Sequence, residues 1–252
     1  MFGGTCYGDF MLSVFNLTKA FEKNNIKYEL HLIQNESLIT RARNSIVAKF
    51  MENHNFSHLL FLDSDLMFSA ESVLEMLAEK KEIVGISYPK KSLNLEKMLH
   101  YYNKGERGDN LLVRQTDMNY NLKVYNGNQC KIDGNCVEVK DVPTGLMLID
   151  KRALSQIIHK NRDYKYKNNV AGYDDKTTFY DLFRVGVDKQ GVYLSEDYYF
   201  CKLASECGIK LWLHKNATVV HIGRYNYHGN LGSILCDNTG EILDKDAQLV
   251  GN

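Results

Sequence analysis

The chain has 252 residues, with 31 Lys and Arg balanced by 31 Asp and Glu, so its formal net charge is zero. That balance excludes a protein whose main task is to coat nucleic acid or an anionic membrane, since both call for a cationic excess; a local phosphate site stays open. With 44% hydrophobic and 25% charged residues the composition is that of a folded protein, not a disordered one, and a chain of this length buries roughly 70–75% of its unfolded surface without staples.

No apolar run approaches the ~20 residues of a membrane span. Met1 to Tyr7 lacks a basic segment followed by an apolar one, so no signal peptide is expected and the protein reads as cytoplasmic. The six cysteines, Cys6, Cys130, Cys136, Cys201, Cys207 and Cys236, include no CxxC pair. They read as reduced thiols, several in the core, with a disulfide or a zinc site as the alternative.

Along the chain, Phe10, Leu12, Val14, Leu17, Ala20 and Phe21 recur at helical spacing and predict a helix over 10–24. Residues 27–33 alternate, with Tyr28, Leu30 and Leu32 on one face, and predict a strand. Thr40 is the expected cap of a helix carrying Ala42, Ile46, Val47 and Phe50. The apolar run 58–62, bounded by polar residues, fits a strand buried on both faces in a parallel sheet. Ser69 is expected to cap a helix reaching about Lys80, and 82–87 to form the next strand. Residues 1–91 thus alternate helix and strand, the α/β signature of a parallel sheet covered by helices on both faces.

Residues 92–141 are polar, with strand-like pieces at 111–113, 122–125 and 137–139. A strand is expected over 145–149 and a helix over 152–158. Residues 160–192 read as a long irregular loop carrying Tyr164, Tyr166, Tyr173, Phe179, Tyr180 and Phe183. A helix over 196–207 ends at Gly208. Strands follow at 211–213 and 218–222, and after Gly223 a glycine-rich tail is expected to wrap the surface.

The strongest chemical signal is Asp63-Ser64-Asp65, two carboxylates two residues apart at the carboxyl end of a predicted buried strand, the edge at which open α/β sheets bind ligands. Such a pair attracts Mg²⁺ or Mn²⁺; a solvated turn is the bland alternative. Arg41 and Arg43 stand in the first turn of a predicted helix, where cations oppose the helix dipole and can instead face a ligand anion or a carboxylate, or else lie on the surface. Ser195, Glu196 and Asp197 suit a helix start, and a carboxylate there can also act as a general base. His221 sits in an apolar run before Gly223, as a structural histidine or a ligand. Lys90 and Lys91 follow Tyr88-Pro89 at a strand end, able to hold a diphosphate or simply solvated.

Taken in order, Thr5-Cys6-Tyr7-Gly8, Arg41-Ala42-Arg43-Asn44, Leu62-Asp63-Ser64-Asp65, Tyr88-Pro89-Lys90-Lys91, Pro143-Thr144-Gly145, Ser195-Glu196-Asp197 and His221 resemble the nucleotide-sugar-dependent glycosyltransferases of the GT-A fold, over about residues 5 to 230. The resemblance is to the compact enzymes of large DNA viruses, phages and bacteria, and the Arg-Asn plus Asp-Ser-Asp arrangement is also similar to that of fungal mannosyltransferases. It implies one GT-A domain over 1–252: a Rossmann-like, mostly parallel central sheet with helices on both faces, a nucleotide-binding half over 1–91, and a smaller β-rich acceptor-side half with the tail over 92–252.

The resemblance further implies a hexosyl- or pentosyltransferase acting on a glycan or glycoconjugate, if viral then in the host cytoplasm, with a UDP- or GDP-sugar as donor. Thr5, Cys6 and Tyr7 would meet the base, Arg41 and Asn44 the nucleotide or its phosphates, and Ser64, Lys90 and Lys91 the donor. Thr144 and Gly145 would wall the donor sugar. Asp63, Asp65 and His221 would hold Mn²⁺ or Mg²⁺, and Asp197, with Glu196 as rival, would be the base. No nucleic-acid partner and no transmembrane segment are expected. The family's apolar first strand has only Met1–Gly4 as its counterpart, so that strand is expected to be very short or the natural start to lie upstream. The rival functions are a sugar-nucleotide-forming nucleotidyltransferase, for which the glycines near the amino end are sparse, and a catalytically silent carbohydrate- or nucleotide-binding module.

Overall fold

A computed structural model of the chain describes residues 4–114, 124–125, 129–169, 173, 176–235 and 241–242. Met1–Gly3, residues 122–123 of one expected strand, Cys236 and most of the expected tail lie outside the described residues.

The architecture is mixed α/β. A six-stranded sheet is built from β1 (His58–Leu62), β3 (Ile83–Gly85), β4 (Ile132–Asp133), β5 (Cys136–Val139), β6 (Leu146–Asp150) and β7 (Leu211–His214), in the order β1-β6-β3-β7-β5-β4. Side chains alternate across it. Ile83, Met147, Ile149, Leu211 and Leu213 join one core, and Val84, Leu146, Leu148 and Trp212 join the other. The first core is closed by α2 (Ile39–Glu52), α6 (Lys151–Lys160) and α7 (Glu196–Glu206), through Val47, Leu154, Ile157, Phe200 and Leu203. The second is closed by α1 (Gly8–Lys23) and α3 (Ala70–Ala78), through Phe10, Leu17, Phe21, Val73 and Met76. Helices therefore cover both faces.

The sheet is not mostly parallel. β1–β6, β6–β3, β7–β5 and β5–β4 are antiparallel, and β3–β7 is the one parallel ladder of this sheet among the described residues. The cause is β6, which arrives late in the chain and inserts between β1 and β3, pairing antiparallel with both. An apolar run signals burial, not direction. β1 is consequently an edge strand; Leu59 and Phe61 pack into one core and Leu60 and Leu62 against the other, with only Phe61 fully buried.

Other differences are local. Residues 27–32 are exposed and form no ladder among the described residues, so the alternation of Tyr28, Leu30 and Leu32 does not make a strand. The helix expected from Thr40 begins at Ile39, with Leu38 as its cap residue and the Leu38 N–H bonded to Glu36. Residues 111–113 are helical, within α5 (Gly108–Arg114), which follows α4 (Leu95–Asn103). Ser69 does cap α3, accepting from the Ser72 N–H at 3.1 Å. α7 ends before Gly208, which takes the left-handed φ of +81° that a glycine tolerates at that position. The expected loop over 160–192 carries two short hairpin-like ladders, 165–166 with 179–180 and 186–187 with 193–194.

A second sheet among the described residues has three strands. β2 (Leu66–Met67) pairs with β8 (Thr218–Ile222), and β8 pairs with β9 (Asn226–Asn230), part of what the sequence suggests is tail. No helix among the described residues is long and apolar enough to cross a membrane. The five described cysteines are free, and Cys130, Cys136 and Cys201 are buried.

Candidate functional site

The site forms where β1 ends. The Asp63 N–H donates to the Gly145 carbonyl at 2.7 Å, and the chain then turns back into β2, so Asp63 and Asp65 project from a short, tethered segment. The Tyr7 N–H reaches the Ser64 carbonyl at 3.4 Å, bringing the segment before α1 to the same place. Thr5, Cys6, Tyr7, Ser64, Asp65 and Lys91 together line a cavity of about 410 Å³.

His221 arrives through register. In the β2–β8 ladder it lies opposite Leu66, and the Ile222 N–H donates to the Asp65 carbonyl at 2.7 Å. Its Nδ1 is 2.8 Å from the Pro89 carbonyl, which can only accept, so Nδ1 carries the hydrogen. Nε2 then faces Asp65 Oδ2 at 3.3 Å. Tyr88 packs edge-on against the ring at 5.1 Å between centroids and fixes its tilt. Without a proton on Nε2 the ring would point a lone pair at this carboxylate oxygen and call for a cation between them; with one, it donates to Asp65 as an ion pair. A backbone carbonyl on the other ring nitrogen is the usual support of a metal-bound histidine.

Lys91 supplies a cation from the protein itself: its Nζ donates to Asp65 Oδ2 at 2.7 Å. Burial alone would raise the Asp65 carboxyl, but the bonds and charges of His221 and Lys91 outweigh it and hold it down at about 2. Asp63 behaves oppositely. Desolvation pushes its carboxyl up, and the Arg43 charge only partly offsets this. Lys90 is exposed.

Arg43 is the hub of the site. It is 6% exposed, its Nη1 donates to Thr144 Oγ1 at 2.8 Å and to Glu196, and its Nη2 lies 3.7 Å from Asp63 Oδ1. One buried guanidinium thus joins α2, the end of β1, the turn before β6 and the start of α7, with its charge matched by two carboxylates. Arg41 sits about 200° away around the helix, where Glu36 holds it by two bonds of 2.7 Å. Asn44 is buried, donating to Asp181 at 2.9 Å and accepting from the Phe183 N–H at 2.9 Å. Arg41 and Asn44 are therefore not among the residues brought together at the cavity.

At α7, Ser195 makes no side-chain cap bond to the helix; its hydroxyl donates to Asp197 Oδ1, which also accepts the Tyr198 N–H at 2.9 Å. Both bonds to Asp197 fall on one oxygen, whereas Glu196 is committed to Arg43. Thr144 is fully buried, and Gly145 is required: a Cβ there would stand 2.5 Å from the Tyr88 hydroxyl, which accepts the Gly145 N–H at 3.2 Å. Pro89 and Pro143 both adjoin the site, the first through His221 and the second beside Thr144.

Arg43 faces two carboxylates, one of the arrangements its place in the first helical turn allows, whereas nothing in the sequence points to Asp141. Burial, then the charge of Asp197, push the Asp141 carboxyl up to about 6, against the pull of Lys140. A lone aspartate closing a polar stretch carries no signal in sequence beyond its place just ahead of Pro143-Thr144-Gly145. The loop aromatics mostly pack on each other: Tyr166 and Tyr173 lie against Phe179, and Phe183 stacks on Phe200 at 4.3 Å.

No family model matches the chain, and no curated protein matches it in sequence. Among solved structures it is similar to one described as "Crystal Structure of A197 from STIV", at 16% identity over 87% of each chain, with a TM-score of 0.43.

Proposed function

We propose that the chain is a glycosyltransferase that moves a sugar from a nucleoside-diphosphate sugar to a hydroxyl of a glycan or glycoconjugate. The observation that carries this reading is the meeting of His221 and Lys91 on Asp65, where Asp65 and Lys91, with Thr5, Cys6 and Tyr7, line a cavity of about 410 Å³. Its size and polarity suit a nucleoside diphosphate.

The donor set fits a hard divalent ion such as Mn²⁺ or Mg²⁺. Asp65 and His221 offer oxygen and nitrogen side by side, with the imidazole braced by Pro89. Among the described residues no three His, Cys, Asp or Glu side chains form a ready cage, so further ligands would come from water and the donor's phosphates, as is common for Mg²⁺. When bound, such an ion neutralises the charge that builds on the departing nucleoside diphosphate.

The chain's own residues do the rest. Thr5, Cys6 and Tyr7 face the base, Asp63 and Ser64 the ribose side, and Lys91 and Lys90 the diphosphate. Thr144 and Gly145, expected to wall the sugar, are both buried and support the site from behind, through Arg43 and Tyr88. Asp197 takes the proton of the acceptor hydroxyl as its oxygen attacks the anomeric carbon and the bond to the diphosphate breaks. Glu196, tied to Arg43, serves to hold that guanidinium beside Asp63.

The test is release of UDP or GDP from a panel of sugar nucleotides in Mn²⁺, with and without simple glycoside acceptors. Turnover with one donor that falls at least a hundredfold in Asp65→Ala supports the reading. No turnover with any donor, or undiminished turnover in Asp65→Ala, overturns it, and tight nucleotide binding without turnover would instead make the chain a silent binding module.

A further inference from the structure

We propose that Lys91 is a tethered counter-ion that holds Asp65 in the donor-free protein, and that moving it onto the donor's diphosphate couples divalent-ion binding to nucleotide binding. The inference rests on the donor and metal assignments proposed above.

Three observations carry it. First, Lys91 Nζ and His221 Nε2 converge on the same atom, Asp65 Oδ2, at 2.7 and 3.3 Å. An ion taking that oxygen must displace the ammonium or sit against a like charge. Second, the placement of Lys91 is built into the fold. Its stem crosses Gly223, where an added Cβ would lie 3.2 Å from Lys91 Cδ and 3.7 Å from Cε, so the glycine that closes the His221 strand leaves the room through which the lysine reaches Asp65. Third, Lys91 lines the same cavity as Thr5, Cys6 and Tyr7. An ammonium released from Asp65 therefore remains where a diphosphate lies, on a flexible four-carbon stem that suits a phosphate as well as a carboxylate.

The consequence is an exchange. Metal alone must part Lys91 from Asp65 and leave the ammonium beside a dication, so it binds weakly. With a nucleoside diphosphate present, Lys91 passes to a phosphate oxygen and that opposition is gone. Each ligand then favours the other by the same factor, as linkage requires. The site stays closed to stray metal and assembles when the donor comes.

The experiment is Mn²⁺ titration followed calorimetrically, without nucleotide and with UDP or GDP, on the wild type, Lys91→Met, Gly223→Ala and Asp65→Asn. Lys91→Met keeps the stem and removes the charge. It should bind Mn²⁺ alone about tenfold more tightly than the wild type, and the gain in Mn²⁺ affinity on adding nucleotide should shrink by about the same factor. Gly223→Ala, which crowds the stem by a few tenths of an ångström, should shift both readings in the same direction and by less. Mn²⁺ binding that is unchanged or weaker in Lys91→Met, while Asp65→Asn still weakens it, overturns the counter-ion role and leaves the site assignment standing. Mn²⁺ binding indifferent to Asp65→Asn overturns both.

Discussion

His221 meets Asp65 at 3.3 Å although 156 residues separate them, because the β2–β8 ladder sets His221 opposite Leu66, the residue after Asp65. The histidine is positioned by backbone pairing and its ring by Pro89, so removing its side chain should leave the fold intact. His221→Ala is expected to weaken Mn²⁺ binding in the presence of UDP or GDP by about 10–100-fold, with little change in thermal midpoint. Calorimetric titration beside a melting curve checks this. Unchanged affinity would remove His221 from the ion's shell.

The adjacent carboxylates of α7 should separate cleanly on mutation. Asp197→Asn keeps the shape of the helix start and removes the proton acceptor, so transfer should fall by about 10²–10⁴-fold while donor binding persists. Glu196→Gln strips a partner from a guanidinium that is 6% exposed, and breaking such a buried pair costs about 3 kcal/mol. Its main effect should be a lower urea midpoint. Reversed phenotypes would exchange the two roles.

Much of the site was legible in the sequence because its pieces are local. Asp63 and Asp65 announce themselves after an apolar run, and Ser195-Glu196-Asp197 as a helix start. What the sequence does not show is what pairing decides. β1 reads as a central parallel strand, but β6 inserts from later in the chain and makes the sheet mixed. Residues 27–32 alternate as a strand should, yet alternation forms nothing without a partner backbone. The Arg41–Asn44 motif points to the right helix but not the right face. Helical rotation sends Arg41 to Glu36 and Asn44 to the 181–183 loop, and only Arg43 reaches Asp63 and Glu196. A histidine in an apolar run becomes a site residue only once its opposite strand is known.

Gly145 is a steric prediction. Its N–H bonds the Tyr88 hydroxyl, and a Cβ would stand 2.5 Å from that oxygen, deep among buried neighbours. Gly145→Ala must push the Tyr88 ring, which in turn supports His221. A loss of about 1–3 kcal/mol is expected from overpacking. The double variant Gly145→Ala with Tyr88→Leu, which removes the ring carbons at 2.7 and 2.8 Å as well as the oxygen, should recover part of it. Additive losses in a urea-denaturation cycle would show that the two positions do not clash as described.

Asp141 makes stability depend on pH. Its folded carboxyl titrates at about 6, raised by burial and by Asp197, against about 3.9 in an unfolded chain. Between those values the folded state holds a proton that the unfolded state has lost. Protonation therefore favours the fold, and the favour fades as pH rises through 6. Above that, an ionised and enclosed Asp141 opposes folding by up to about 3 kcal/mol. Asp141→Asn cannot ionise. It should be more stable than the wild type at pH 8 by up to that amount, and the difference should shrink steadily towards pH 4.5. Paired urea midpoints across this range decide the matter: a constant difference would show that the carboxyl does not titrate there, and a difference growing towards acid would reverse the sign argued here.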